Sequence, residues 1–228
     1  MKRVVTPPAR ITKHRVFLVD DHPIVRQGLT LLINQEPDLM VCGEAQEARG
    51  LRAALVAAQP DIVLLDISLT GPDGLDVLKM LREEGQQVPI LVLSMHDEAV
   101  YAERVLRAGA NGYIMKQEAT ERVLIAVRRI LQGQVYVSDR MASRMLLQLV
   151  SKQVPDESAA IARLSDRELE VFRLIGAGRG TREIAQTLNL SVKTVESYQA
   201  HIKEKLALRS ARALMQRAIE WRLSEHEA

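Results

Sequence analysis

Two hydrophobic periods alternate along the N-terminal part of this chain, and that alternation limits the available folds more than any other feature. Short apolar runs with the length of buried strands occur at Val16–Val19, Met40–Gly43, Ile62–Leu65, Ile90–Leu93 and Gly112–Met115. Between them lie amphipathic stretches with helical spacing: Ile24, Gly28, Leu31 and Leu32; Leu75, Leu78 and Leu81; Val123, Val127 and Ile130. Five strands alternating with five helices predict a doubly wound, five-stranded parallel sheet covered on both faces. Ligands of such sheets sit outside the carboxyl ends of the strands.

The pattern changes after Val135. Asp139–Val150 reads as one more amphipathic helix, carrying Met141, Met145, Leu146 and Leu149. Ser151–Ala160, with Pro155 and small polar residues, reads as a linker. From Leu164 onward the chain is all-helical. Ser165 and Glu168 have the spacing of a capping box, and Leu164 and Leu169 that of the hydrophobic staple around it. The Gly176–Gly180 run follows a helix rather than a strand, so it reads as a helix stop and not as a phosphate cradle. Thr181–Asn189 is then a helix, Ser191 an N-cap, and Val192–Leu206 a second helix with Val195, Ile202 and Leu206 facing inward. The opposite arc presents Lys193, Ser197 and Ala200, flanked by Glu196 and His201, with Lys203 and Lys205 in a basic end cluster. This is helix-turn-helix spacing, whose second helix can enter a major groove. Trp221, with Leu214 and Ala218, can serve either a core or a contact between copies.

The expected organisation is a flexible tail at residues 1–13, an α/β domain at 14–135, a linker with its helix at 136–160, and an all-α domain at 161–228. A length of 228 residues with 47% hydrophobic and 26% charged residues suits two folded domains. The net charge of +2 conceals an asymmetry. Residues 14–135 hold 12 Lys/Arg against 17 Asp/Glu, and residues 161–228 hold 12 against 9. An acidic front suits cation and phosphate handling, and a basic back suits a polyanion. No apolar run approaches the roughly 18–20 residues that cross a bilayer, and Met1–Lys13 lacks the apolar segment of a secretory signal. The single cysteine, Cys42, excludes a disulfide framework and fits a reducing cytosol. The expected location is the cytoplasm, with no membrane partner.

Polar residues recur where the sheet should end. Asp20 and Asp21 follow the first strand, Asp66 ends the third, Ser94 the fourth and Lys116 the fifth. Each alone suits a loop cap or a solvated charge. Together they converge on one sheet edge. Three adjoining carboxylates repel unless a cation lies among them, and hard oxygen donors favour magnesium. A carboxylate there can act as a nucleophile toward phosphorus, with Lys116 and the Ser94 hydroxyl placed for the phosphoryl oxygens.

These residues carry a resemblance. Val19–Asp21 (VDD), Leu64–Asp66 (LLD), Leu93–Ser94 and Gly112–Lys116 (GYIMK) resemble the receiver domain of bacterial response regulators, and Asp20–Leu29 (DDHPIVRQGL) is similar to its NarL/FixJ subfamily. The resemblance covers nearly all of His14–Gln132. It implies a flavodoxin-like fold, Asp66 as the phosphoacceptor, and magnesium held by Asp21 and Asp66, by Asp20 through water, and by the Ser68 carbonyl. It also implies that Ser94 and Tyr113 form a switch pair, the hydroxyl moving toward the phosphoryl group while the ring turns inward. Gln117 stands where many receivers have proline, so no cis peptide is expected there.

Leu164–Leu208 resembles, independently, the LuxR-type helix-turn-helix domain. That implies four helices, the last at Ser210–Arg222 supporting dimerisation. By position, Lys193 and Thr194 meet the DNA backbone, Glu196, Ser197 and Ala200 lie where members read bases, and Thr181 and Lys203 complete the contact set. Many members carry lysine at Glu196 and another basic residue at Ala200, so this face is less basic than usual. Glu196 can accept from a cytosine amino group or orient Lys193 or Lys203. The cost of an unpaired carboxylate near phosphates favours the second. The chain is therefore expected to be a two-component response regulator: a histidine kinase phosphorylates Asp66, and a homodimer binds double-stranded DNA and regulates transcription. Two rivals remain, an enzyme turning over an aspartyl phosphate and a phosphorylation-independent DNA-binding scaffold. The first lacks a second Asp two positions after Asp66.

Overall fold

The computed structural model describes residues 13–67, 69, 74–150, 160–161 and 163–227. Among these, residues up to Met95 together with Val105–Val137 form one compact unit, and His96–Arg104 with the chain from Ser138 onward form the other. The expected linker at Ser151–Ala160 and the tail before Lys13 lie almost wholly outside the described residues.

In chain order the first elements are β1 (His14–Val19), α1 (Pro23–Asn34), β2 (Leu39–Ala45), α2 (Leu51–Ala58), β3 (Ile62–Asp66), α3 (Gly74–Glu83), β4 (Ile90–Ser94), α4 (Glu98–Arg107), β5 (Gly112–Met115) and α5 (Ala119–Leu131). The strands pair in the order β2-β1-β3-β4-β5, all parallel, as the alternating periods predict. Because side chains alternate along a strand, Val16, Leu18, Ile62, Leu64, Leu91, Leu93 and Ile114 share one face. They pack with Leu29 and Ile33 of α1 and with Val123, Val127 and Ile130 of α5. Their neighbours Phe17, Val19, Val63, Leu65 and Val92 are equally buried on the other face. Each such side chain contributes roughly 1.5–3 kcal/mol relative to exposure, so these central strands are held from both sides.

Two points of this sheet bear on function. The strand order reverses direction between β1 and β3, the switch point where a crevice opens. Beside it, α3 starts so close to the end of β3 that a Cβ on Gly74 would lie 2.5 Å from the Asp66 carbonyl oxygen and 2.3 Å from the Ile67 Cα. Only glycine permits that approach.

The helical unit contains α6 (Asp139–Val150), α7 (Asp166–Gly176), α8 (Thr181–Thr187), α9 (Val192–Lys205) and α10 (Ala211–Glu227). The capping box is present: the Ser165 hydroxyl accepts from the Glu168 amide, and the Glu168 carboxylate accepts from the Ser165 amide at 2.6 Å. Leu164 and Leu169 are both buried, as a staple requires. Helix α7 ends at the glycine run, with Gly178 in the left-handed region at φ +76°. Trp221 belongs to the core. It is buried with Leu214 and Ala218, and its ring lies 5.3 Å from that of Phe172. A Cβ on Gly176 would lie 2.5 Å from the Ala218 carbonyl oxygen, so this glycine lets α7 and α10 pack at close range.

Burial pushes the Glu168 carboxyl up, but the Lys205 ammonium at 2.6 Å and the hydrogen bonds from Ser165 outweigh it and hold the group below the usual glutamate value. A depressed carboxyl stabilises the fold above its unfolded value, 4.5, and loses that contribution as pH falls through its folded value. Glu168→Gln is expected to cost about 1 kcal/mol at neutral pH and to flatten the acid limb of the stability profile. Denaturation followed by fluorescence of Trp221, the only tryptophan, measures both; an unchanged acid limb would contradict the assignment.

Candidate functional site

The register of the sheet builds the first site. Val19 pairs with Leu65, so Asp20 and Asp66, each one residue further, stand level at the end of neighbouring strands. Ser94 pairs with Met115, which sets Lys116 one step beyond on the next strand. The five strand-end residues do meet at one edge. Asp20, Asp66 and Ser94 are all buried. The Lys116 ammonium donates at 2.7 Å to both Asp20 Oδ2 and Asp66 Oδ2. Burial pushes its pKa down, while the hydrogen bonds to the two carboxylates push it up further, so it remains above the ordinary lysine value.

One donor atom from each of Asp20, Asp21, His22 and Asp66 lies within 4.8 Å of the others. Three of these are hard carboxylate oxygens, a set that fits a small divalent cation such as magnesium. Ser68, whose carbonyl the resemblance adds to that set, lies outside the described residues. Tyr113 sits in mid-strand on β5, opposite Val92, with its ring fully buried. Lys116–Glu118 form a 3-10 turn after β5, and no peptide among the described residues is cis.

Two neighbours escaped the sequence reading. His22 Nδ1 is 2.7 Å from Asp21 Oδ1 and 3.2 Å from Asp20 Oδ1, while its amide donates to Asp20 at 2.7 Å. Arg26, buried on α1, donates to the Asp20 carbonyl at 2.6 Å and to Glu44 at 3.3 Å, tying the end of β1 to β2. His22 is the extended residue that caps α1, and its carbonyl accepts from the Arg26 amide in the first turn, so the start of the helix sets both side chains beside the end of β1.

The second site is α8 and α9. Ser191 caps α9: its hydroxyl accepts from the Thr194 amide at 3.0 Å and pairs with the Thr194 hydroxyl at 2.8 Å. Val195 and Ile202 are buried, and Ala185 of α8 is small enough for the helices to approach. Gln199 donates to the Thr181 hydroxyl at 3.3 Å, which joins α9 to the start of α8. Lys193, Glu196, Ser197 and Ala200 are exposed together, and Lys203 is half-buried toward the helix end. Glu196 makes no ion pair or side-chain hydrogen bond among the described residues, so the favoured pairing with Lys193 or Lys203 is not formed: Lys203 lies about two turns further along α9, and Lys193, one turn back, is exposed to solvent as Glu196 is, where an ion pair gains little.

Residues 16–128 match the family model described as "Response regulator receiver domain", and residues 162–218 that of "Bacterial regulatory proteins, luxR family". The chain is 34% identical over 216 residues to the oxygen regulatory protein NreC of Staphylococcus epidermidis, covering 92% of this chain and 99% of that one. NreC of Staphylococcus aureus is also 34% identical, over 215 residues. Among solved structures, RcsB of Salmonella enterica serovar Typhimurium bound to promoter rprA in the presence of phosphomimetic BeF3− superposes with a TM-score of 0.67 at 27% identity, covering 90% of this chain and 98% of that one. Another structure of Salmonella typhimurium RcsB reaches 0.70 at 27% identity, covering 92% and 98%. No helix among the described residues is long and apolar enough to cross a membrane. An acidic strand-edge cluster on a parallel sheet and a capped helix-turn-helix thus occur in one chain that matches its relatives over nearly their whole length, and the chain belongs to the DNA-binding response regulators, with a receiver domain followed by a LuxR-family helix-turn-helix.

Proposed function

We propose that Asp66 is the phosphoacceptor and that a histidine kinase is the donor. The Lys116 ammonium, buried and 2.7 Å from the carboxylates of both Asp20 and Asp66, is the observation that carries this reading. An Asp66 carboxylate oxygen attacks phosphorus as the bond from phosphorus to the kinase histidine breaks, leaving an acyl phosphate on Asp66. Lys116 already stands where the new negative charge develops, so little reorganisation accompanies transfer. Asp21 and Asp66, with Asp20 through water and the Ser68 carbonyl, would hold magnesium. When bound, that ion supplies charge neutralisation for the phosphoryl oxygens.

Ser94 then donates its hydroxyl to a phosphoryl oxygen, and the buried ring of Tyr113 holds the accompanying conformation. The added charge biases a two-state equilibrium, electrostatic at its origin. In the active state two copies pair and set two α9 helices into major grooves about one DNA turn apart. Lys193, Thr194, Thr181 and Lys203 contact the backbone, while Glu196, Ser197 and Ala200 face base edges. The protein acts in the cytoplasm, where kinase and DNA are both reached. It is a phosphoacceptor with at most self-phosphorylation from small donors and autodephosphorylation, not a turnover enzyme.

Incubation with a small phosphodonor and magnesium is expected to add one phosphoryl group by mass, and Asp66→Asn to abolish it. Tighter DNA binding should accompany the modification; identical binding by both proteins, with and without donor, favours a scaffold, and many turnovers of a phosphate ester favour an enzyme. Lys116→Ala strands buried carboxylates together and should cost about 3 kcal/mol in denaturant unfolding of the receiver, most of it restored by adding Asp66→Ala. Lys193→Ala should weaken DNA binding evenly across sequences and reduce the logarithmic salt slope by about 1.

A further inference from the structure

The groove-facing arc of α9 carries an uncompensated acceptor. Its polar groups divide into two kinds. The Thr194 hydroxyl is engaged by Ser191 at 2.8 Å, and the Ser197 hydroxyl donates back to the Lys193 carbonyl at 3.1 Å, so both are occupied locally. Glu196, exposed in the second turn between them, has no ion pair or side-chain hydrogen bond among the described residues. That sets it apart from most carboxylates of the helical unit. Glu168 is held by Ser165 and Lys205, Glu170 by Arg167 at 2.8 Å, Glu183 by the Gly180 amide at 2.8 Å, and Glu220 by Gln216 at 3.0 Å. Glu204 is also exposed, but it lies two turns further toward the C-terminus, whereas the N-terminal residues of a recognition helix are those that reach base edges.

We infer that Glu196 is a specificity-determining residue that reads cytosine, accepting a hydrogen bond from the cytosine amino group in the major groove. This rests on the DNA-binding reading above. A carboxylate is acceptor-only. Guanine presents two acceptors in the major groove and would repel it. Adenine presents one donor beside an acceptor, so one carboxylate oxygen would be opposed. Thymine presents an acceptor and a methyl group. Cytosine alone offers a donor with no acceptor beside it on the same base. The same carboxylate lies near phosphates at any site, so its charge opposes binding generally and is offset only where that donor is met. Ala200, one turn on, is small and exposed, and it leaves the carboxylate free to descend toward the bases.

The test is selection of bound fragments from random DNA by the full-length chain, treated with a small phosphodonor and magnesium, in parallel with Glu196→Ala, Glu196→Gln and Glu204→Ala. The wild-type chain is expected to select half-sites with one fixed cytosine, preferred over other bases by about tenfold. Glu196→Ala should lose preference at that base pair and keep it elsewhere in the half-site. Glu196→Gln should move the preference there toward adenine, whose donor and acceptor edge suits an amide. Glu204→Ala should match the wild type throughout. An unchanged cytosine preference in Glu196→Ala, or loss of preference at every position at once, would overturn the assignment while leaving DNA binding intact as a function. A wild-type chain that retains no fragments would overturn the DNA-binding reading and this assignment with it.

Discussion

One buried cation governs the organisation of the receiver. The Lys116 ammonium bonds at equal distance to Asp20 and Asp66, carboxylates that the sheet register brings level on adjacent strands. Without it, that edge would hold acidic groups in an environment with almost no water to screen them, and their mutual repulsion would raise the cost of folding. With it, both carboxylates accept a short hydrogen bond from one ammonium, which offsets their repulsion. The backbone is arranged around this need. Arg26 fixes the end of β1, Gly74 lets α3 begin against the Asp66 carbonyl, and the short turn at Lys116–Glu118 launches α5 directly from the lysine.

The helical unit solves a different problem, the rigid presentation of one helix. Ser191 starts α9 at a defined residue, Val195 and Ile202 seat it, and Gln199 ties it to α8 through Thr181. Its core closes through contact between Phe172 and Trp221 and through the close approach allowed by Gly176. The exposed arc is thereby left with side chains that do no structural work beyond local hydrogen bonds. A carboxylate on that arc is informative because the rest of the unit neutralises most of its acids so consistently.

The main elements were legible because their signals are local or periodic. The five strands follow from apolar runs bounded by polar residues, and the α7 capping box from Ser165 and Glu168 three residues apart. The receiver edge was legible because a parallel sheet sends every strand end to the same side, so Asp20, Asp66, Ser94 and Lys116 could be gathered without coordinates. His22 and Arg26 were not legible as site neighbours, since their roles depend on how α1 is pitched over β1. Nor was the solitary state of Glu196 legible, since Lys193 one turn before it is near enough in sequence to pair, and spacing does not say which rotamers two exposed side chains take.

Sequence alone therefore determined the class of fold, the order of its parts and the identity of the groups that converge, because hydrophobic period and strand direction are encoded residue by residue. Tertiary structure decided that the lysine grips Asp20 and Asp66 together, that Trp221 faces a core, and that Glu196 stands without an ion pair among the described residues. Those outcomes depend on distances between residues far apart in the chain, and electrostatic energy varies so steeply with distance and burial that spacing along a sequence cannot supply them.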